Sequence, residues 1–251
     1  MITIVMACYG NLEKSKMSYE SIIRNTDVPF RLIIVEQNSP DGSREWASSI
    51  EDDRVHVYLP EENNGLVYAH NYGIENMHPD SDYIMFFDND IYAPKRWAGR
   101  FVSFMDEHQE IGIAGPASNF AGNPQLVEYP NKINFDDEDA IIRIEQRSNA
   151  LVSKTNKFDY APKSWPVVGF AFFVRRKVVD QIGKFDDNIP GEWDDTDYCR
   201  SAEKNGWRLA YVKNIYIHHW GHASKSVEGT QYTNENHDKS KNYIMEKWGW
   251  V

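Results

Sequence analysis

The stretch Asp82-Tyr83-Ile84-Met85-Phe86-Phe87-Asp88-Asn89-Asp90-Ile91-Tyr92 decides the fold of this chain. Its continuous apolar run, residues 83–87, is typical of a strand that is buried on both faces of a parallel sheet. The carboxyl end of such a strand faces the ligand crevice of an open α/β sheet. If the extended conformation persists, Asp88 and Asp90 project the same way and can share a hard divalent cation. The purely structural alternative is an acidic turn after the strand.

Composition limits the classes of protein that this chain can be. Its 251 residues, of which 41% are apolar, can bury the core of one large α/β domain or of two small ones. The net charge of -11 disfavours nucleic acid as a partner. Cys8 and Cys199 lie far apart, which predicts reduced thiols. No apolar run approaches the ~18 residues of a membrane span, and no basic leader precedes the apolar start. We therefore expect a cytoplasmic protein without an integral membrane segment.

Strand and helix patterns alternate along the first part of the chain. Strands are predicted over 2–8, 30–35, 55–59 and 83–87, with helices between them, which implies parallel β-α-β units. Further strands are predicted over 111–116, 167–174 and 208–217. Between them, residues 117–166 have no clear pattern, and such inserted segments usually carry specificity. No Gly-x-Gly-x-x-Gly or Walker-type motif occurs, which argues against dinucleotide oxidoreductases and P-loop enzymes.

Two polar clusters follow in the second half of the chain. The segment Asp194-Asp195-Thr196-Asp197 precedes a predicted helix over 198–205, where its acids would also suit the helix dipole. The last predicted strand is followed by His218-His219-Trp220-Gly221-His222, with three histidines in five residues. Packing alone explains such a cluster poorly, so we expect at least one of these histidines to be a ligand or a catalytic group.

Taken in order, four blocks of sequence resemble the family 2 nucleotide-sugar glycosyltransferases, which have a GT-A fold. Ile4-Val5-Met6-Ala7-Cys8-Tyr9-Gly10-Asn11 resembles the family's first strand and nucleotide-contacting loop. Ile33-Ile34-Val35-Glu36-Gln37-Asn38-Ser39 is similar to its Val-Asp-Asp/Asn-x-Ser segment. Residues 63–74 and 83–90 resemble the region that ends in the DXD motif. Residues 169–175, 182–186, 194–197 and 206–208 follow the acceptor-side pattern. The resemblance covers residues 2–224 and is weakest over 117–166.

The resemblance implies an α/β fold of GT-A type, with a Rossmann-like, mostly parallel central sheet flanked by helices and an acceptor-side subregion. Residues 1–115 would form the half that binds the nucleotide-sugar donor. Residues 116–224 would form the acceptor-binding and catalytic half of the same domain, followed by a C-terminal tail over 225–251. The implied activity is transfer of a sugar from a nucleotide-diphosphate sugar to a hydroxyl of a saccharide or glycoconjugate, with Mn²⁺ or Mg²⁺ as cofactor.

The resemblance also implies roles for particular residues. Asp88 and Asp90 would hold the cation, with a histidine as third metal ligand, His222 being preferred and His219 second. Asp195 would be the general base, and Asp194 would flank it as the second residue of the catalytic pair and could bind the acceptor. The residues expected to bind the nucleotide-sugar are Ala7, Tyr9, Glu36, Gln37, Asn64, His70, Asp88 and Asn89. Those expected to bind the acceptor are Trp193, Gly169 and Trp220, although either tryptophan could instead belong to the core.

Three positions depart from the family pattern. Glu36-Gln37 replaces an acidic pair, His70 replaces a common Arg, and Asp194-Asp195 replaces Glu-Asp. A UDP-sugar is favoured as donor, but the amide of Gln37 leaves the base open. The family suggests inversion of the anomeric centre, whereas the ending 220–222 also resembles retaining GT-A enzymes, so both outcomes stay open. The ending Trp248-Gly249-Trp250 would either pack on the domain or form the contact of a homodimer, and the sequence does not choose between these alternatives.

Two other classes of protein were weighed against a transferase. A nucleotidyltransferase also combines an α/β sheet with carboxylate-bound metals, but residues 6–16 lack the Gly-rich loop with Arg and Lys that a triphosphate needs. A non-catalytic carbohydrate-binding module would not need Asp88, Asp90, Asp195 and His222 together. The sequence therefore favours the transferase.

Overall fold

The computed structural model describes residues 1–122, 124–154, 158–161, 166–221 and 230–249. Ten strands and eight helices lie in these ranges. The strands are β1 Ile2–Cys8, β2 Phe30–Glu36, β3 Val55–Tyr58, β4 Tyr83–Asp88, β5 Ile91–Tyr92, β6 Ile111–Ala117, β7 Phe158–Tyr160, β8 Ala171–Arg175, β9 Arg208–Tyr216 and β10 His218–His219. The helices are α1 Leu12–Asn25, α2 Ser43–Ser48, α3 Gly65–Glu75, α4 Trp97–Glu107, α5 Ala140–Lys154, α6 Arg176–Ile182, α7 Asp194–Lys204 and α8 Thr230–Trp248. Within the described ranges, no helix combines the length and the apolar character needed to cross a membrane.

Eight strands form the central sheet in the order β3-β2-β1-β4-β8-β6-β9-β7. The first four are parallel to one another, as predicted for β-α-β units. Strand β8 runs antiparallel to both β4 and β6, and β7 runs antiparallel to β9. Six of these strands thus share one direction, which agrees with the predicted mostly parallel sheet. Because β8 lies between β4 and β6, the sheet continues across the expected boundary at residue 115.

The apolar run of β4 serves two cores at once. Met85 and Phe87 pack on the face covered by α1 and α4, while Ile84 and Phe86 pack on the face covered by α3, α6 and α7. All four side chains are fully buried. Burial of one such side chain contributes about 1.5–3 kcal/mol, so these four side chains together contribute roughly 6–12 kcal/mol.

A second, two-stranded sheet lies at the carboxyl end of β4. Strand β5 pairs antiparallel with β10, with Ile91 opposite His219 and Tyr92 opposite His218. This pairing brings the histidine cluster that follows β9 to the acidic end of β4. The sequence did not predict it, since two-residue strands have no periodicity that a pattern can detect.

Other element boundaries also differ from the predictions. Strand β8 begins at Ala171 rather than at residue 167, because residues 169–170 form a turn before it. Helix α7 begins at Asp194 rather than at residue 198, so the acids occupy its first turn, where the helix dipole favours them. The expected tail contains α8, whose Lys247 Nζ lies 2.6 Å from Asp186 and 2.9 Å from Asp197. These ion pairs hold α8 against the first turn of α7.

Candidate functional site

Two carboxylates and an imidazole converge at the carboxyl end of β4. One ligand atom from each of Asp88, Asp90 and His219 lies within 4.8 Å of the others. His219 Nε2 is 3.1 Å from Asp90 Oδ1 and 3.6 Å from Asp88 Oδ2. Asp90 is buried, whereas the Asp88 side chain is 33% exposed. The cluster therefore opens to solvent on the Asp88 side.

The ring of His219 is held in a defined orientation. Its Nδ1 lies 3.0 Å from the carbonyl oxygen of Phe120, to which only a protonated nitrogen can donate. In the neutral ring Nε2 then carries a lone pair that is directed at the carboxylates. The Phe170 ring stacks on the imidazole at a centroid distance of 4.9 Å and an interplanar angle of 7°. Two carboxylates and one imidazole fixed in this tautomer form a donor set that suits a divalent cation.

The pKa values of this cluster reflect burial and close charges. Withdrawal from water raises the pKa of Asp88 to about 6; the charge of His219 opposes this rise, and that of Asp90 adds to it. Burial lowers the pKa of His219, but the hydrogen bond with Asp90 and the charges of both carboxylates outweigh burial and raise it overall. A cation bound among these groups would keep the carboxylates ionised and the imidazole neutral.

Asp195 lies in the first turn of α7 with both carboxylate oxygens engaged. Its Oδ2 accepts a hydrogen bond from the backbone N–H of Gly169 at 2.8 Å, and its Oδ1 accepts one from the N–H of Thr196 at 2.5 Å. Burial, with the neighbouring charge of Asp194, raises the pKa of Asp195 to about 7, although the carboxylate remains partly exposed. A group that titrates near neutral pH is suited to accept and release protons.

The turn at residues 169–170 connects the two acidic centres. Gly169 donates its N–H to Asp195, and the carbonyl of Phe170 accepts the backbone N–H of Asp88 at 3.1 Å. The ring of Phe170 also contacts His219. A Cβ on residue 169 would lie 3.3 Å from the Asp195 Cβ, so glycine allows this close approach. The end of β4 and the first turn of α7 are therefore joined through this one turn.

Asp194, the first residue of α7, contacts helix α3. Its Oδ2 lies 3.2 Å from Nδ1 of His70, and both side chains are buried. The His70 ring packs between Phe86 and Phe185, at centroid distances of 4.8 and 5.0 Å. His70 Nε2 is buried without a hydrogen-bond partner among the described residues. Two of the three departures from the family pattern, His70 and Asp194, thus contact each other.

Glu36 and Gln37, which are both expected to bind the nucleotide, form hydrogen bonds to the backbone of neighbouring loops. Glu36 is fully buried and accepts the N–H groups of Ser39 and Asn38. Gln37 Oε1 accepts the N–H of Asn64 at 3.1 Å, which leaves the amide NH₂ of Gln37 as its remaining polar group.

The other expected nucleotide contacts surround the same edge of the sheet. Asn89 donates to the carbonyl of Gly10 at 2.8 Å and to Ser15 Oγ at 2.7 Å. Ala7 lies on β1 opposite Asp88 of β4, and Tyr9 follows at the end of the strand, half-buried.

The two tryptophans expected near the acceptor lie in different surroundings. Trp193 immediately precedes α7 with a left-handed φ of 84°, and its ring lies 5.8 Å from that of His237 on α8. Trp220 packs against His218 and Phe135, and its backbone N–H donates to the Asp90 carbonyl. This environment agrees with the core alternative for Trp220. His222, the preferred histidine ligand, lies outside the described residues.

Three residues of this site were not singled out from the sequence. Asn119 and Phe120 follow β6 in the region without a clear pattern, and both bond His219, which is about 100 positions away. Phe170 lay inside a predicted strand. Its position next to Gly169 in an acceptor-side block was the one signal that could have identified it.

The family is decided by a match over most of the chain. Residues 3–183 match the family model described as glycosyl transferase family 2. The chain belongs to glycosyltransferase family 2. The α/β fold with its large central sheet is the GT-A fold that the resemblance implied.

Known proteins agree with this assignment. This member of the family is 24% identical over 143 residues to the putative teichuronic acid biosynthesis glycosyltransferase TuaG of Bacillus subtilis, covering 55% of this chain and 56% of that protein. It thus spans little more than half of the length of that curated relative.

Two solved structures share the fold. The mannosyltransferase PcManGT of Pyrobaculum calidifontis, in complex with GDP-Man and Mn²⁺, has a TM-score of 0.61 at 15% identity, covering 98% of this chain and 71% of that one. GalNAc-T7 with UDP, GalNAc and Mn²⁺ has a TM-score of 0.64 at 12% identity, covering 87% of this chain and 43% of that one.

Proposed function

We propose that this enzyme transfers a sugar from a nucleoside-diphosphate sugar to a hydroxyl of a saccharide or glycoconjugate, with a divalent cation at Asp88, Asp90 and His219 and with Asp195 as general base. One observation carries the proposal. The turn at Gly169-Phe170 contacts Asp88 and His219 on one side and Asp195 on the other. A donor diphosphate at the first and an acceptor hydroxyl at the second would therefore meet beside this turn.

The donor set of the cluster supports Mn²⁺ or Mg²⁺ as cofactor. Carboxylates suit both ions, and the imidazole favours the softer Mn²⁺. The cation would neutralise charge that develops on the leaving diphosphate. The protein's part is to keep Asp88 and Asp90 at the end of a rigid strand and His219 Nε2 directed at them.

Asp195 is the group best suited to activate the acceptor. Its carboxylate would take the proton of the acceptor hydroxyl while that oxygen forms a bond to the anomeric carbon, and the bond from that carbon to the diphosphate oxygen breaks. Its pKa of about 7 matches this role at neutral pH. Direct attack by the acceptor inverts the anomeric centre, and inversion is the outcome we propose. The contact between Asp194 and His70 supports Asp194 as a residue that orients α7 rather than as a second base.

The residues of the site constrain the identity of the donor's base and of the acceptor less than they constrain the cation. We favour a UDP-sugar, while the GDP-Man complex of a structural neighbour keeps GDP-sugars as the second donor class to test. The NH₂ of Gln37 would donate to a base carbonyl, which uracil and guanine both offer. The cytoplasmic location and the homodimer stay predictions from the sequence.

Nucleotide binding measured by calorimetry tests the proposal. UDP, GDP and their sugars are titrated into the protein with Mn²⁺ and then with EDTA. We expect Asp90→Ala to lose the metal-dependent binding. The control variant Asp80→Ala, which replaces an exposed aspartate after α3, should retain it. Equal nucleotide affinity in wild type and Asp90→Ala, or wild-type binding that EDTA leaves unchanged, would contradict the metal assignment.

A further inference from the structure

The side chain of Asn119 forms hydrogen bonds with both backbone polar groups of His219, its N–H and its carbonyl. Asn119 Nδ2 donates to the His219 carbonyl at 2.9 Å, and the N–H of His219 donates to Asn119 Oδ1 at 3.0 Å. The same Oδ1 accepts the hydroxyl of Tyr216 at 3.2 Å. One side-chain amide therefore supplies the donor and the acceptor that a neighbouring strand would otherwise provide.

Strand β10 needs such support because it is very short. It consists of His218 and His219 and pairs with the equally short β5. Isolated two-stranded pairings of this length are marginal in water. The bonds from Asn119 satisfy polar groups of the His219 backbone and tie β10 to the loop that follows β6.

The same loop also fixes the imidazole. Phe120, the next residue, accepts the hydrogen of His219 Nδ1 at 3.0 Å, and its ring meets the imidazole edge-on at 5.3 Å. Gly221 allows this approach, since a Cβ there would lie 2.7 Å from the Phe120 ring. Movement of Asn119 would thus displace both the backbone of His219 and the acceptor that selects its tautomer.

We infer that Asn119 is a positioning residue, which acts through His219 by holding its Nε2 toward Asp88 and Asp90 for cation binding. The inference rests on the proposed metal site. Partners that orient a ligand in this way typically contribute about 10–100-fold to metal affinity. Asn119 would accordingly control how tightly the enzyme holds its cation without touching it.

Mn²⁺ affinity and the ¹⁵N signals of the histidine rings test the inference together. Mn²⁺ binding is followed by electron paramagnetic resonance with UDP or GDP present. We expect Asn119→Ala to bind Mn²⁺ about 10–100-fold more weakly and to lose the Nδ1–H signature of the His219 ring. Tyr216→Phe keeps both bonds to His219 and should bind as the wild type does. Asn134→Ala, which removes an exposed asparagine that bonds Asp137, is the matched control.

A conservative variant separates positioning from charge and from misfolding. Asn119→Asp keeps the acceptor for the His219 N–H but loses the donor to its carbonyl, so we expect weaker Mn²⁺ binding in a folded protein. Tighter binding than the wild type would mean that charge, not positioning, controls the site and would overturn the inference. Unchanged Mn²⁺ affinity and an unchanged His219 signal in Asn119→Ala would also overturn it.

The ring signal keeps this test distinct from that of the proposed function. A wild type that binds no Mn²⁺ with either nucleotide would refute the metal site. In that case, loss of the His219 Nδ1–H signal in Asn119→Ala would still support the inference that Asn119 positions the ring. Retention of this signal would refute the positioning role too.

Discussion

The pH dependence of sugar transfer is the sharpest test of Asp195. Its pKa is raised to about 7 by burial and by the charge of Asp194. A general base acts only when it is ionised, so transfer should fall as the pH drops through this value. A pKa of about 7 leaves roughly one tenth of the groups ionised at pH 6 and roughly nine tenths at pH 8. We therefore expect kcat/KM to be about tenfold higher at pH 8 than at pH 6.

The assay measures initial rates of product formation at saturating Mn²⁺, because a bound cation keeps Asp88 and Asp90 ionised over this range. The remaining pH dependence then reports on Asp195. We expect Asp195→Asn to lose roughly 10²–10⁴-fold in transfer and to show no step near pH 7, while it still binds the donor. Asp180→Asn, an exposed change on α6, is the control. A flat wild-type profile, or normal turnover in Asp195→Asn, would refute the assignment.

The same pKa shift makes a prediction about stability. The ordinary pKa of an aspartate is about 3.9, so folding raises the affinity of Asp195 for a proton. Its contribution to stability is full below about pH 4 and is lost as the pH rises to about 7. The melting temperature of Asp195→Asn should therefore increase relative to the wild type between these pH values. A constant difference between the two proteins over this pH range would contradict a raised pKa of Asp195 in the folded protein.

Two further predictions concern the supports of the site. Gly169→Ala would place a Cβ 3.3 Å from the Asp195 Cβ and 3.4 Å from its Oδ2, so we expect kcat to fall ~10-fold or more with little change in melting temperature. Lys247→Met would leave the carboxylates of Asp186 and Asp197 without their shared cation. We expect a loss of about 1–3 kcal/mol in the free energy of unfolding, measured with urea.

Matched variants serve as controls for both substitutions. Gly122→Ala meets a neighbour at a similar 3.3 Å, the Cγ2 of Val168, but does not approach a carboxylate. Normal kcat in Gly169→Ala, or an equal loss in Gly122→Ala, would contradict the specific role of residue 169. Lys239→Met changes an exposed lysine of the same helix, α8. If it destabilises as much as Lys247→Met, the ion pairs contribute nothing particular.

The central part of the fold could be predicted because its signals are local. The buried runs of β1, β2 and β4 and the helices between them have clear patterns, and their parallel order follows from the β-α-β rule. The predicted start of β8 at residue 167 was wrong because residues 167–170 are as apolar as the strand itself. The pairing of β5 with β10 joins segments more than 120 residues apart, and no local pattern encodes it.

The site shows the same division between local and distant signals. Asp88, Asp90 and Asp195 were identified because each lies in a short acidic motif next to a predicted element. The choice between His219 and His222 as metal ligand depends on which of them lies near the carboxylates once β5 and β10 have paired. The spacing of the histidines in the sequence does not determine this. Asn119 was missed for a related reason, since its function depends on a contact across 100 residues.

The position of Asn119 also changes the role expected for the region without a clear pattern. From the sequence, residues 117–166 are expected to carry specificity. However, the first residues of this region bond His219, while the turn before β8 bonds both Asp88 and Asp195. Strand β8 lies between β4 and β6 in the sheet. The loop after β6 and the turn before β8 therefore belong to neighbouring strands. Substitutions at residues 119–120 should therefore alter cation affinity, and those that alter acceptor choice alone should lie further along the region.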